Sequence, residues 1–334
     1  MSNPTAPPQG KKSASKLYEG ALGYILLPIA FVSFMVVVLN QDRPSQVIFA
    51  IGVFSLVAVE GGRWIWAKRH HERATDDSTV MDATTSFSTS IITSVANNLV
   101  IVPLAFYVMS WVYSVTPLHF GDRVKEATGD YYVPVTLVIV LFGADFLYYW
   151  GHRAGHQVEL LWGSHSVHHS SEHFNPSTAT RLAFFDEMWD MIMMTGLVVL
   201  GFDPRFALGA YALVLLYQLP LHQSWLPRLW TPIEFVLNTP NHHRAHHAFQ
   251  KRYLDKNFAG VLIIWDRIFG TFASTEEDPR YGLTVPIGTY NPLRVMFHEL
   301  GSLGHKMKHA GSPGLALAYA FHHPYWEPEE KAAS

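Results

Sequence analysis

The sequence predicts an all-α polytopic membrane protein with about four transmembrane helices, a re-entrant or short helical hairpin, and a histidine-rich helical cap in the cytosol. Hydrophobic residues make up 49% of the 334 residues and charged residues only 15%, whereas a soluble globular protein carries roughly 25% charged residues. The apolar residues occur in long blocks, and most of the 19 histidines cluster after those blocks. A disordered chain is excluded, because it would need low hydrophobicity and high charge.

Charge and cysteine content exclude further classes of protein. The chain has 24 basic and 27 acidic residues and a formal net charge of −3, so we expect no nucleic-acid partner. It contains no cysteine, which excludes a disulfide framework, thiolate metal sites and a cysteine nucleophile. Histidine is therefore the residue type that draws attention to metal chemistry.

The first two predicted spans follow a disordered N-terminal tail, residues 1–17. The apolar blocks 18–39 and 45–67 are each long enough to cross about 30 Å of hydrocarbon. Basic residues precede the first block and follow the second, so the positive-inside rule places the N-terminus in the cytosol. A cleaved signal peptide is disfavoured, because the first block is too long and no small-residue cleavage site follows it.

Two further apolar blocks, about 88–115 and 132–150, complete a four-helix transmembrane region over residues 18–150. The charged loop between these two blocks is expected on the side of the membrane opposite the cytosol. The chain after Trp150 is expected to begin in the cytosol. Two shorter apolar pieces then flank a break at residues 201–204. Each is marginal for a full crossing, so we predict a hairpin, 188–221, that returns to the cytosol.

Histidines recur with helical spacing on both sides of this hairpin. The motif HRAGH places two imidazoles at positions i and i+4, on one face of a helix, and HSVHH and HRAHH each place three at i, i+3 and i+4. Such a number of histidines is too large for one tetrahedral zinc and suits two metals. The candidate ligands are His152, His156, His165, His168, His169, His222, His243, His246 and His247.

The ligand type alone does not select the metal, because neutral imidazole suits iron, copper, nickel and zinc. Iron is favoured by context, since a lipid-embedded site without an evident polar substrate pocket needs chemistry that attacks C–H bonds.

The motifs HRAGH, HSVHHSSEHFNPSTATR, NTPNHHRAHH and DKNFAGVLIIWDRIFGTF resemble the membrane-bound fatty acid hydroxylase and sterol desaturase superfamily of di-iron oxygenases. The resemblance spans about residues 145–300, and the last two motifs are most similar to the alkylglycerol monooxygenase branch. It implies that the nine histidines bind two irons, with zinc as an alternative occupant in purified protein. It also implies a di-iron catalytic domain over residues 151–300, including the hairpin, and a C-terminal cytosolic segment, 301–334.

Several residues are candidates to support the ligands. Metal-bound histidines normally donate their other ring N–H to a carboxylate or carbonyl, and Asp145 precedes His152 by two helical turns on the same face. A polar contact between helices is the alternative for Asp145. His242 is left open between a further ligand and a neighbour of the ligands. The other candidates are Asp266, Glu172, Asn175 and Gln218, which stands four residues before His222 where the superfamily commonly has another histidine.

The remaining histidines and two hairpin acids receive weaker interpretations. Asp186 and Asp190 are left open between solvated positions and support of a histidine. His70 and His71 lie in a basic cluster that flanks the membrane and are expected only to fix orientation. Positions on the surface or in the cap are expected for His298, His305, His309, His322 and His323.

The leading functional prediction is an integral membrane oxygenase, in the bacterial inner membrane, whose cytosolic metal site uses O₂ to hydroxylate a C–H bond of a fatty acyl, ether lipid or sterol-like substrate. No catalytic residue is expected beyond the metal ligands. Electrons must come from outside the chain, from a reduced pterin, a ferredoxin or a cytochrome. The alternative within the enzyme class is a lipid or sterol desaturase on the same irons.

From another class, the alternative is a histidine-rich metal transporter or metal-binding membrane protein. A transporter should carry ionisable residues along a path through its spans. The first and third predicted spans have almost no ionisable residue at mid-depth, with Glu60 and Asp145 as the exceptions in the other two spans. This scarcity disfavours a transporter.

Overall fold

The computed structural model describes residues 77–328, and within that range the chain is helical, with one isolated β-bridge between Ala248 and Tyr281. Residues 77–224 and 228–328 belong to one compact unit. The predicted tail, the predicted spans 18–39 and 45–67, Glu60, His70 and His71 lie outside the described residues. The all-α class is therefore confirmed over the described range, whereas the number of four spans stays a prediction.

The helices of the described range are joined both by short turns and by longer segments, such as 170–185, 247–263 and 269–291. They are α1 (Asp77–Ala96), α2 (Val102–Val115), α3 (Phe120–Thr128), α4 (Tyr132–Gln157), α5 (Glu159–His169), α6 (Asp186–Val199), α7 (Pro204–Gln218), α8 (Thr231–Val236), α9 (Pro240–His246), α10 (Ile264–Ile268), α11 (Pro292–Lys308) and α12 (Pro313–Phe321). A π-helical turn, Asn97–Ile101, joins α1 to α2, and short 3₁₀ turns cover Gly129–Tyr131, Thr178–Thr180 and Leu219–Leu221.

Two described stretches, Ser78–Val115 and Phe120–Gln157, are long and apolar enough to cross a membrane. They contain the predicted spans 88–115 and 132–150. The charged segment between those spans, expected to be a loop, instead forms the short helix α3. Its charged residues Asp122 and Arg123 are exposed, whereas Val124 is partly buried and packs against the core. The helix forms because its apolar positions share one face.

Helices α6 and α7 form the predicted hairpin and pack on α4. Met194 and Val198 of α6 and Val214 of α7 are fully buried in one apolar cluster with Val140 of α4. The turn between the two helices depends on Gly201, whose φ is 89° and where a Cβ atom would lie 2.0 Å from the carbonyl oxygen of Leu118. Two helices, Asp186–Val199 and Pro204–Gln218, lie where the hairpin 188–221 was predicted, and its depth in a membrane and its return to the cytosol stay predictions.

A buried ion pair ties α1 to the segment that follows α5. The Arg181 guanidinium lies 2.6 Å from the Asp82 carboxylate, and both side chains are buried. Ser171 donates a further hydrogen bond to Asp82. Because removal of one partner would leave a buried charge unpaired, this pair fixes the position of residues 171–181 relative to α1.

A second polar contact joins α4 to the loop before α10. The buried Asp145 carboxylate accepts hydrogen bonds from the backbone N–H of Val261 at 2.7 Å and of Leu262 at 3.0 Å, and from the Trp265 indole at 2.9 Å. Gly260 permits this approach, because a Cβ atom there would lie 2.9 Å from Asp145 Oδ1. The Asp145 carboxylate therefore holds a loop, and it does not accept a hydrogen bond from His152 as the sequence led us to expect.

Asp266 holds the same loop from its other side. Its buried carboxylate accepts hydrogen bonds from the backbone N–H of Phe258 at 2.8 Å and of Ala259 at 2.9 Å, and from the Thr271 hydroxyl at 2.6 Å. Two carboxylates thus bind four consecutive or nearly consecutive backbone N–H groups between residues 258 and 262. We call residues 255–262 the clamped loop.

We predict that Asp145→Leu will destabilise the protein strongly. The substitution leaves two backbone N–H groups and one indole N–H buried without an acceptor, at about 1–3 kcal/mol each, so the free energy of unfolding should fall by about 3 kcal/mol or more. Asp145→Asn retains one acceptor oxygen and should lose less. Denaturant titration of the purified protein in detergent measures both.

Asp130→Leu is the matched control, because Asp130 is exposed and should change the free energy of unfolding by no more than about 0.5 kcal/mol. An Asp145→Leu protein as stable as this control would show that the clamped loop does not depend on Asp145.

Candidate metal centre

Nine histidines lie close together in the structure, and they are the nine predicted from the sequence as candidate ligands. One group, here the five-histidine group, contains His152, His156, His165, His169 and His246. The other, the four-histidine group, contains His168, His222, His243 and His247. Within each group the candidate ligand atoms lie within 4.8 Å of one another.

Each of the motifs HSVHH and HRAHH contributes histidines to both groups, and the division follows the spacing within the motif. In HSVHH, the i and i+4 residues His165 and His169 join the five-histidine group, whereas His168 at i+3 joins the other. In HRAHH the pattern is reversed, because His243 and His247 join the four-histidine group and His246 joins the five-histidine group. An i, i+4 pair shares one face of its helix, and the i+3 residue projects to one side of that face. Each motif therefore serves both groups.

The groups lie side by side. The rings of His169 and His247, one from each group, stack with centroids 4.4 Å apart and an angle of 21° between their planes. The centroids of His243 and His246, also from different groups, are 5.3 Å apart. The nine rings thus form one continuous cluster with two centres.

The ring nitrogens that face one another are Nε2 atoms. His152 Nε2 lies 3.0 Å from His165 Nε2 in the five-histidine group. In the four-histidine group His222 Nε2 lies 3.2 Å from His168 Nε2 and 2.9 Å from His243 Nε2. The Nε2 atoms of His156, His169 and His246 are buried and have no hydrogen-bond partner among the described residues. Buried polar atoms are normally paired, so these three orphaned nitrogens, all in the five-histidine group, fit one metal ion there. The close Nε2 atoms of the four-histidine group fit a second ion.

The other ring nitrogens explain why the Nε2 atoms point inward. Four Nδ1–H groups donate to backbone carbonyls, which leaves the unshared electron pair on Nε2. The pairs, with their N···O distances, are His152 to Phe258 at 2.8 Å, His246 to Lys256 at 2.9 Å, His222 to Gln218 at 3.0 Å and His168 to Arg181 at 3.3 Å. Carboxylates face two more Nδ1 atoms: Asp186 lies 3.6 Å from His165 and Asp255 lies 3.8 Å from His156.

Burial keeps these imidazoles neutral. Desolvation lowers the pKa of His222 to about 4 and the pKa of His246 to about 3. It also lowers the pKa values of His168, His169, His243 and His247 well below the usual value, and neighbouring histidines lower them further. Because the neutral ring is the form that binds a metal, these histidines are ready to act as ligands at neutral pH.

The clamped loop contributes two residues that the sequence analysis missed. Asp255 and Asn257 have φ values of 56° and 58°, in the left-handed region, which Asn and Asp tolerate better than most residues. Asn257 donates to the carbonyl oxygens of His242 at 3.1 Å and Ala273 at 2.8 Å. The sequence DKN does contain the signal, because its Asp and Asn are the residue types that favour this backbone conformation.

The supporting residues proposed from sequence act on the histidines less directly than expected. Asp266 does not contact His152 directly. It accepts a hydrogen bond from the backbone N–H of Phe258, whose carbonyl oxygen accepts a hydrogen bond from His152. Gln218 holds His222 through its backbone carbonyl, while its side-chain oxygen accepts a hydrogen bond from Tyr148 at 3.0 Å.

Glu172 and Asn175 do not contact either histidine group within the described range. Glu172 is exposed. Asn175 accepts hydrogen bonds from the backbone N–H and the hydroxyl of Ser177 and so stabilises a turn.

His242 belongs to neither group. Its Nε2 lies 3.3 Å from Glu234, and both side chains are buried. Burial lowers the pKa of His242 to about 4, although the Glu234 carboxylate opposes this shift. The histidines predicted at the surface or in the cap also lie outside the groups: His298 is half-buried, and His305, His309, His322 and His323 are exposed.

A cavity of about 420 Å³ opens on the histidine cluster. Its walls include His152 and His165 of the five-histidine group and His168 and His222 of the four-histidine group. Apolar side chains from α5, α6 and α7, such as Leu161, Met188 and Leu215, form most of the remaining wall. A ligand in this cavity would therefore lie against both metal-binding groups.

Comparison with known proteins gives a consistent result. Residues 137–271 match the model of the fatty acid hydroxylase family. Alkylglycerol monooxygenase of Homo sapiens is 44% identical over 170 residues, which cover 51% of this chain and 38% of that protein. Alkylglycerol monooxygenase of Xenopus tropicalis is 38% identical over 203 residues, 58% of this chain and 43% of that protein. Ornithine lipid hydroxylase OlsE of Rhizobium tropici is 30% identical over 144 residues, 41% of each chain.

The chain spans about two fifths of the length of these relatives, and no solved structure matches it. The matched region, 137–271, contains all nine histidines of the two groups. Residues 137–271 therefore resemble the fatty acid hydroxylase family, and the chain resembles alkylglycerol monooxygenases over about half of its length.

Proposed function

We propose that this protein is a membrane-bound di-iron oxygenase that uses O₂ to hydroxylate a C–H bond of a lipid, with ether lipids as the first substrate class to test. The observation that carries the proposal is the convergence of nine imidazoles, in two groups, at one end of an apolar cavity. The similarity to alkylglycerol monooxygenases and to an ornithine lipid hydroxylase supports lipid oxidation as the activity.

The five-histidine and four-histidine groups would each hold one iron, and the iron pair would supply the activation of O₂. The role of the protein is to bind the two ions and to orient the histidine rings around them. Backbone carbonyls of Phe258, Lys256, Gln218 and Arg181 hold four rings in place, so little reorganisation is needed when the ions bind. Such fixed outer contacts typically change metal affinity or activity by about 10-fold to 100-fold when they are lost.

The cavity would bring one carbon of the lipid against the metal pair and exclude water from it. Leu161, Met188 and Leu215 offer an apolar wall to an alkyl chain, while His165 and His168 present both metal centres to the same space. Burial of an alkyl chain against such a wall is favourable by about 0.8 kcal/mol for each methylene group. The hydrophobic effect can therefore position a substrate that has few polar groups.

The reductant would come from outside the described chain. A reduced pterin, a ferredoxin and a cytochrome are the three donors to compare, and zinc is the alternative metal to control for in purified protein. A lipid or sterol desaturase is the second candidate function, because the same metal pair could serve removal of two hydrogens.

The metal site would face the cytosol, in the orientation expected from the basic residues that flank the N-terminal spans. We predict that single cysteines at Glu276 and Asp122 will be labelled from opposite sides of the membrane. Both positions are exposed, and the chain has no native cysteine. Asp122 precedes α4, whereas the histidine cluster is built from the last turns of α4 and from later segments.

A membrane-impermeant maleimide should therefore label Glu276→Cys only in vesicles that expose the cytosolic side, and Asp122→Cys only in the opposite preparation. Labelling of both from one side would contradict a span between the two positions.

For the activity, we predict O₂ consumption that depends on iron, on lipid and on one of the three reductants. Purified protein loaded with iron should yield a product heavier by one oxygen atom, measured by mass spectrometry, or an aldehyde if hydroxylation occurs beside an ether oxygen. A product lighter by two hydrogens would instead establish the desaturase. Bound metal without O₂ consumption under all three reductants would favour the metal-binding alternative.

Loss of one ligand from either group should abolish this activity. His246→Ala removes a ligand of the five-histidine group and His168→Ala one of the four-histidine group, so both variants should lose bound iron and turnover. His305→Ala is the control, because His305 is exposed on α11. Normal turnover by His246→Ala would contradict its role as a ligand.

A further inference from the structure

Exposed apolar side chains continue from the predicted span of α4 onto the short helices α8 and α10. On α4, Val138 and Phe142 are exposed, as expected of side chains that face lipid in a span. On α10 and α8, which lie outside the predicted spans, Ile268 is 63% exposed and Phe235 is 58% exposed. A contiguous exposed apolar surface marks an interaction site. The question is what covers this part of α8 and α10.

Ring contacts place α10 beside the last turns of the predicted span. The Trp265 ring of α10 contacts the rings of Phe142 and Phe146, with centroids 5.0 and 5.1 Å away. The Phe269 ring, directly after α10, lies 6.3 Å from Phe146 and 5.0 Å from Trp150. Because a helix rises 1.5 Å per residue, Phe142 lies about 12 Å before Trp150, the predicted end of the span. The helix α10 therefore lies beside the part of α4 that is expected in the membrane.

Arg267 of α10 attaches α8 and satisfies its backbone. The guanidinium donates hydrogen bonds to the carbonyl oxygens of Phe235 at 3.1 Å and Glu234 at 3.2 Å. It also lies over the rings of Phe235 and Phe272, 4.7 and 3.7 Å from their centroids. The last carbonyl groups of a helix have no partner within that helix, and the acyl chains of a bilayer offer none. Arg267 thus provides the hydrogen bonds that α8 needs to end in an apolar environment.

The other end of α8 carries the residue types of a membrane–water boundary. Trp230, the N-cap residue of α8, is 71% exposed. Tryptophan is enriched at this boundary, because its ring is apolar and its indole N–H forms hydrogen bonds. Arg228 is also exposed, beside the buried Glu234, and its long side chain can reach headgroups while its stem stays on apolar surface. The order of basic, aromatic and apolar groups is that of a helix lying in the interface.

We propose that α8 and α10 form an interfacial surface that inserts into the membrane. In this arrangement Phe235 and Ile268 enter the acyl chains of the leaflet around the C-terminal end of α4, and Trp230 lies among the headgroups of that leaflet. The occupant of the exposed surface is thus the bilayer itself. The inference goes beyond the proposed function, because it concerns the attachment of the histidine-bearing part of the chain and holds for any reaction at the cluster.

The surface also affects the histidine cluster. Asn238, shortly after α8, donates hydrogen bonds from its backbone to the carbonyl of Val261 at 2.7 Å and from its side chain to that of Ala259 at 2.6 Å. Both acceptors belong to the clamped loop, which orients His152 and His246. Insertion of α8 would therefore hold the clamped loop, and the candidate ligands it orients, at a constant depth relative to the membrane.

Spin labels on the full-length protein in phosphatidylcholine vesicles test this assignment. The chain has no cysteine, so Phe235→Cys and Ile268→Cys each carry one nitroxide. Collision rates with O₂, which concentrates among acyl chains, and with a water-soluble nickel complex give the depth of the label. Both labels should lie about 5–10 Å below the phosphates. Val138→Cys, on the exposed face of α4, is the control for deeper lipid, and Glu276→Cys, at an exposed position, is the control for water.

A charge placed in the surface tests insertion in a second way. Ile268→Asp would put a carboxylate among acyl chains, which is costly, so the label of Phe235→Cys should shift toward the phosphates in this background. Val285→Asp is the matched control, because Val285 is an equally exposed apolar residue that belongs to neither helix, and it should leave the depth of the label unchanged.

Two results would overturn the proposal. Labels at both positions that collide with the nickel complex as freely as the label of Glu276→Cys would show a surface in water. Labels that neither reagent reaches, with spin–spin broadening that disappears on dilution with unlabelled protein, would show contact with a second copy of the chain. Both labelled side chains are exposed, so the helical circular dichroism should stay that of the wild-type protein. Val236→Cys, at the next exposed position of α8, replaces Phe235→Cys if that variant does not fold.

Discussion

Nine largely buried imidazole rings, gathered in two groups in which several Nε2 atoms lie about 3 Å apart, are the constraint on which this structure depends. Neutral nitrogens in that arrangement repel one another unless a proton or a cation lies between them. Burial opposes protonation, as the lowered pKa values of His222 and His246 indicate. Metal cations resolve this conflict, because they accept electron pairs from several nitrogens at once. The fold around the cluster is then understood as the means of holding the rings against their mutual repulsion.

The holding contacts come mainly from the backbone. His152 and His246 donate to carbonyls of the clamped loop, and that loop is fixed in turn by the carboxylates of Asp145 and Asp266. A carboxylate inside a predicted membrane span is expensive unless it is fully hydrogen-bonded, and Asp145 has three donors. The Asp82–Arg181 ion pair likewise fixes the segment around residue 181, and the backbone carbonyl of Arg181 accepts a hydrogen bond from His168. The buried carboxylates of Asp82, Asp145 and Asp266 thus hold the segments whose carbonyl groups accept hydrogen bonds from His168, His152 and His246.

Much of the site could be predicted from the sequence, because helical periodicity and metal chemistry are both local rules. The i, i+3 and i+4 spacing of HSVHH and HRAHH identified all six of their histidines as candidates, and HRAGH and His222 completed the set. The partition of each motif between two groups could not be predicted, since it depends on how α5 and α9 face each other. The contacts of Asp145 could not be predicted for the same reason. Its position seven residues before His152 suggested a direct contact, but its hydrogen-bond donors lie at residues 261–265, far away in sequence.

The central claim is that the cluster holds two metals, one in each histidine group. The most direct measurement is an anomalous difference map at the iron absorption edge, from crystals of the iron-loaded protein. Two peaks of similar height are predicted, one among His152, His156, His165, His169 and His246 and the other among His168, His222, His243 and His247. A single peak at the boundary between the groups, or density beside only one of them in protein saturated with iron, would contradict the account.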